Sequence, residues 1–170
     1  MTTPTPPTGN PAGRILSSPR ELAAWALVGY VALVLFFEFF QWILPGGTFS
    51  GRSANADFRS LLIMGMPVLA VLLAAHVTPV IGSARMIAAI ALAEYAFALF
   101  FGLVTLLIGL GAVFDSVDDA SESFGALGYL VLGIAGLGLM TVAALVVWRA
   151  FSSLGGKLPI PQSRTAPPAA

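Results

Sequence analysis

Four long apolar runs constrain this chain more than any other feature, and they fall at about 21–44, 60–81, 86–110 and 127–148. About 20 consecutive apolar residues suffice for a helix to cross the hydrocarbon core of a bilayer. The first run, AAWALVGYVALVLFFEFFQWIL, ends against Pro45-Gly46-Gly47 and has Trp25 and Trp42 near its two ends, where amphipathic rings favour the headgroup zone. A helix of that length is about 35 Å long, enough to span with modest tilt. The second run contains Pro67, which removes a backbone donor in mid-helix and is tolerated in lipid when neighbours satisfy the freed carbonyl. Trp148 and Arg149 form an interfacial anchor at the end of the fourth.

Composition closes off the soluble alternatives. Of 170 residues, 58% are hydrophobic and 9% charged, whereas a soluble domain carries about 25% charged residues. The expected fold is an all-α membrane protein, a bundle of four transmembrane helices over 21–149. The first 20 residues hold five prolines and four threonines, and 150–170 end in PIPQSRTAPPAA. Both read as disordered tails, because neither can bury enough apolar surface to order itself. A secretory signal is a poor fit to the first run, which is too long and carries Glu38.

Orientation follows from the basic residues. Arg14, Arg20, Arg85, Arg149, Lys157 and Arg164 would share one side with both termini, and Arg52 and Arg59 the other. That bias puts both ends in the cytoplasm. The segment GAVFDSVDDASESFG, with four carboxylates and no basic residue, then reads as a loop of about 15 residues on the opposite side. Eight basic and eight acidic residues leave no net charge, which argues against nucleic acid as a partner. With no cysteine, thiolate metal sites and thiol redox chemistry are excluded.

Three ionisable residues fall inside the runs: Glu38, His76 and Glu94. A charge near the bilayer centre costs about 3 kcal/mol on insertion scales, so such residues are candidates for an intramembrane polar or proton site. His76 counts as about seven residues deep from the turn at Gly82-Ser83-Ala84 and Glu94 as about ten, so the two are expected to meet across that hairpin. A His–Glu pair suits either a proton relay or a structural clamp. Glu38, within FFEFFQW, suits a cation or proton site, or a hydrogen bond between helices.

The third run carries a stripe of small residues: Ala84, Ala88, Ala91, Ala98, Gly102, Thr105 and Gly109, spaced alternately by three and four with Tyr95 the one large member. In lipid, close backbone approach supplies the packing, so such a stripe marks a helix–helix seam. Gly128, Gly133, Gly136 and Gly138 suit the fourth helix to the same packing. Met64 and Met66 with His76 lack further soft ligands for copper, and Asp115, Asp118, Asp119 and Glu122 lack the spacing of a calcium loop. No metal or cofactor is expected. Nucleophile elbow, P-loop, HExxH and dinucleotide motifs are all missing, which argues against an enzyme.

The stretch AEYAFALFFGLVTLLIGLG, with the proline- and threonine-rich start, resembles small four-helix membrane proteins of high-GC Gram-positive bacteria. The resemblance implies a plasma-membrane location and transfers no functional residue. The leading expectation is a non-enzymatic component of the bilayer that associates with itself or with a membrane protein partner. The alternative is a small proton-coupled transporter or channel using Glu94, His76 and Glu38.

Overall fold

The computed structural model describes residues 19–77, 80–115, 117 and 119–155, and within them every regular element is a helix. The helices are α1 (Pro19–Ile43), α2 (Phe49–Asn55), α3 (Leu61–Ala75), α4 (Ala84–Asp115) and α5 (Ala120–Ser153). Three of them, α1, α4 and α5, are long and apolar enough to cross a membrane. This is a multi-pass membrane protein. The expected tails lie largely in 1–18 and 156–170, outside the described residues.

The first span begins where proline is best tolerated, with Pro19 as the first helical residue, since its missing N–H would be unpaired there anyway. It buries Ala24, Val28, Val31 and Leu35, one stripe facing mainly α3. Pro45-Gly46-Gly47 stops it, with Gly47 at φ 67°, a left-handed conformation that glycine adopts without cost.

The second run departs most from expectation. A short helix not foreseen from the sequence, α2, follows the glycine turn, capped by the Thr48 hydroxyl accepting from Gly51 N–H at 3.2 Å. Then α3 starts at its Ser60 cap and has only 15 residues, about 22 Å. It ends at Ala75 and not at 81, and Pro79 in the sequence has no N–H to give the Ala75 carbonyl. Pro67 sits inside α3, and the Tyr95 hydroxyl of α4 donates to the Met64 carbonyl three residues earlier. Together α2 and α3 form a broken arm along α4: Gly109 of α4 faces Ala54, and Ile81 N–H at the α3–α4 turn donates to Ala74 O at 3.2 Å.

The last two helices overrun their expected bounds. α4 reaches Asp115 instead of 110, and α5 starts at Ala120 instead of 127 and runs to Ser153. The expected 15-residue acidic loop is therefore mostly helix, leaving 116–119 between the two. Asp119 explains the early start: it caps α5, its carboxylate accepting from Glu122 N–H at 2.9 Å, with Glu122 itself near the positive end of the helix dipole. α5 buries Ala126, Gly133, Met140 and Val147, a seven-residue recurrence that keeps one narrow stripe against the bundle. Its other faces carry exposed leucine, valine and isoleucine. α4 lies at the centre and touches all four other helices.

Candidate functional site

The three ionisable residues singled out in the sequence occupy three separate places. His76 is the C-cap of α3, with its backbone N–H donating to Leu72 O, and its side chain is exposed. Because α3 stops at Ala75, His76 lies at the level of the α3–α4 turn and not seven residues deep. Glu94 is ten residues into α4, about 15 Å along the axis. The expected His76–Glu94 pairing is therefore not made.

Glu38 sits one turn from the end of α1, half-buried, with its Oε2 accepting from Asp57 N–H at 3.3 Å. It lines a small polar pocket of about 170 Å³ with Gln41, Arg52 and Asn55. Arg52 closes that end of the molecule, donating to the carbonyls of Trp42 at 3.0 Å and Gly46 at 2.9 Å. Glu38 thus belongs to the polar end of the bundle, where α1 hands over to α2.

Glu94 is in a different situation. Only 6% of it is exposed, and neither carboxyl oxygen has a hydrogen-bond partner among the described residues. It lines a groove of about 400 Å³ between α1 and α4, whose walls are Ala32, Leu35, Phe36, Phe39, Ile90 and Phe97. A buried carboxyl left without a partner costs on the order of 1–3 kcal/mol. The arrangement provides one hydrogen-bonding group in an apolar slot, with Tyr95 as its neighbour along α4.

All seven small residues of the α4 stripe are buried, together with Tyr95. The glycines among them do more than bring helices close. A Cβ on Gly109 would lie 2.8 Å from Ala54 Cα, and one on Gly102 would lie 3.2 Å from Arg59 Cγ. Across the cleft, a Cβ on Gly133 of α5 would lie 2.7 Å from Arg59 Nη1. Gly102 and Gly133 thus form a slot that admits the Arg59 side chain between α4 and α5, with its guanidinium carbon 5.5 Å from the centre of the Tyr129 ring.

Sequence reasoning counted Arg59 only as a loop charge. Its neighbours in the chain gave one usable signal, the Ser60 cap that puts residue 59 just before an apolar helix. Nothing in the sequence linked it to glycines 43 and 74 positions away.

No family model, curated protein or solved structure matches the chain. The site's own chemistry therefore carries the functional argument.

Proposed function

We propose that this chain is a non-enzymatic component of the plasma membrane that works by associating with other membrane-embedded chains. The observation that carries this reading is Glu94, a carboxyl at mid-depth in an apolar groove with no partner among the described residues. In lipid no water is present to satisfy such a group, so a side chain from a neighbouring chain is the natural source of the missing hydrogen bond. The exposed apolar faces of α1 and α5 leave room for that neighbour.

The same reading has four crossings, with the broken α2–α3 arm as the second and both termini in the cytoplasm. Two features support it: the arm runs along α4, and the basic residues gather at the end holding Arg20, Arg85 and Arg149. The α3–α4 turn and the start of α1 meet at that end, where the Ser83 hydroxyl donates to Glu21 Oε1 at 2.6 Å.

Extraction from native membranes in mild detergent, followed by mass spectrometry of the intact species, tests the association. A complex of fixed stoichiometry, with a second copy or another membrane protein, is expected. A bare monomer under every extraction condition would defeat the proposal.

A further inference from the structure

We infer that the open cleft between α4 and α5 holds an anionic phospholipid, with one acyl chain lying along the cleft and the phosphodiester held by Arg85 and Arg149. The cleft shares only Ala93 with the groove at Glu94, and it does not depend on the association proposed there.

The dimensions of the cleft select a lipid chain as its occupant. It runs from Ala89 to Leu99 on α4 and from Phe151 back to Thr141 on α5, ten residues on each helix. Ten residues of helix rise about 15 Å. That is half of a hydrocarbon core of about 30 Å, the depth of a single leaflet. A helix of another chain would need a seam running through both leaflets, whereas an acyl chain ends at the midplane. The exposed alanines 89, 93 and 96 give α4 a low surface there, and Leu92, Leu145 and Trp148 stand beside it.

The mouth of the cleft is basic. Arg85 is exposed in the first turn of α4, with its guanidinium carbon 5.8 Å from the centre of the Phe151 ring, which lines the cleft at that end. Arg149 follows Trp148 in α5 and lines a second, smaller cleft that shares Trp148 and Leu145 with the first. Neither arginine makes a hydrogen bond or an ion pair among the described residues. The third arginine of this end, Arg20, donates to the Val77 carbonyl, and the carboxylate beside it, Glu21, accepts from Ser83. Arg85 and Arg149 are thus left to an outside anion, and a positive end favours anionic headgroups over neutral ones. Arginine suits this task twice over. Its stem can follow apolar surface while its head stays at the interface, and its forked donors match phosphate oxygens. The exposed Trp148 indole adds a further N–H at headgroup level.

The test uses the full chain in phosphatidylcholine vesicles. A small fraction of phosphatidylglycerol, or of phosphatidylcholine, carries a diazirine midway along one acyl chain. Photolysis and peptide mapping then locate the adducts. The phosphatidylglycerol probe is expected to concentrate on 89–99 and 141–151, above the phosphatidylcholine probe. Each arginine near the headgroups is worth about fivefold in that preference. Arg85→Gln and Arg149→Gln should each reduce it by that factor, and the double variant should bring the two probes close to parity. Adducts of the phosphatidylcholine probe at the same residues report that the cleft is intact in each variant. Equal labelling by the two probes in the unchanged chain, or a preference that survives the double variant, overturns the lipid site. So does a cleft that neither probe labels, which is what a second copy seated on α4 and α5 would leave. Each of these results leaves the association at Glu94 to its own test.

Discussion

The two ends of the bundle are held together by different physics. At the α2 end, directional contacts fix one arrangement. Trp42 donates from Nε1 to Ser53 Oγ at 2.9 Å, Arg52 gathers three carbonyls, and Arg59 threads a slot cut by two glycines. A group of rings packs beneath them, with Phe101 centred 4.4 Å from Phe97, 5.0 Å from Phe39 and 5.7 Å from Phe58. At the α3–α4 turn two hydrogen bonds tie α1 in place, Ser83 to Glu21 at 2.6 Å and Arg20 to the Val77 carbonyl at 2.8 Å, but above them the helices pack largely on alanines and leave apolar clefts open. One, of about 520 Å³, lies between α4 and α5 and is lined by Leu92, Tyr95, Leu145, Trp148 and Phe151. The other is the groove at Glu94, which extends from Ile90 up to Phe39 and Phe97 at the edge of that ring group. Internal stability therefore concentrates at the α2 end, and the capacity to receive something from outside lies in the open half.

That division can be broken by substitution. The largest loss is expected from Phe58→Ala, because the ring, in the link between α2 and α3, is fully buried against α4 and its removal leaves a cavity beside Phe97 and Phe101. A loss of about 3 kcal/mol is expected in a reversible unfolding measurement in bicelles. Gly109→Val should follow at about 2 kcal/mol, since its Cβ meets the backbone of Ala54 and only movement of α2 could relieve the overlap. Gly128→Ala and Gly138→Ala are the controls, with nothing within 4 Å of the new Cβ and an expected change within about 0.5 kcal/mol. Equal losses at all three glycines would erase the distinction between slot and surface.

Smaller effects sharpen the same contrast. Ser53→Ala leaves the Trp42 indole without its acceptor and should cost about 1 kcal/mol. In the open half, Leu145→Ala should change unfolding by under about 0.5 kcal/mol, because its exposed side chain exchanges contacts with lipid and not with the core.

Asp119 gives a local reading with a definite pH sign. The Glu122 N–H, and after it the Ser121 hydroxyl, hold its carboxyl below the ordinary value of 3.8. Its contribution to the first turn of α5 is thus fully present above that value, and is lost as pH falls through the lower folded value. Protection of the Glu122 and Ser123 amides, measured against their intrinsic exchange rates, should fall under that acidification, and Asp119→Ala should show the lower protection already at neutral pH.

Much of this architecture was legible because lipid imposes strong rules. Three long apolar runs became α1, α4 and α5, and the alternation of three and four from Ala84 to Gly109 became the buried face of α4. The second run misled by its hydropathy. Apolar character persists to Ile81, but a helix must also satisfy its carbonyls, and Pro79 withdraws the donor that would continue it. The acidic segment misled in the opposite sense: its charges read as a loop, yet Asp119 is a strong N-cap and Glu122 suits a first turn.

The candidate site divided along the same line. Glu94 is buried beside Ala91 and Ala98 of the seam, a placement that helical periodicity fixes. Its separation from His76 depended on where α3 ends, which no periodicity reports. The insertion of Arg59 depended on three helices meeting at one level, and a single sequence contains no record of that.

The central claim is that the groove at Glu94 is completed by another chain, and the reactivity of that carboxyl tests it most directly. An apolar carbodiimide that partitions into the bilayer modifies lipid-accessible carboxyls, and peptide mapping locates the adduct. With the protein at high density in vesicles, Glu94 should be protected, and dilution with added lipid should raise its labelling while Glu38, at the polar end, stays unchanged. Labelling of Glu94 that is fast at high density and indifferent to dilution would contradict the account, because the groove would then be filled by lipid alone.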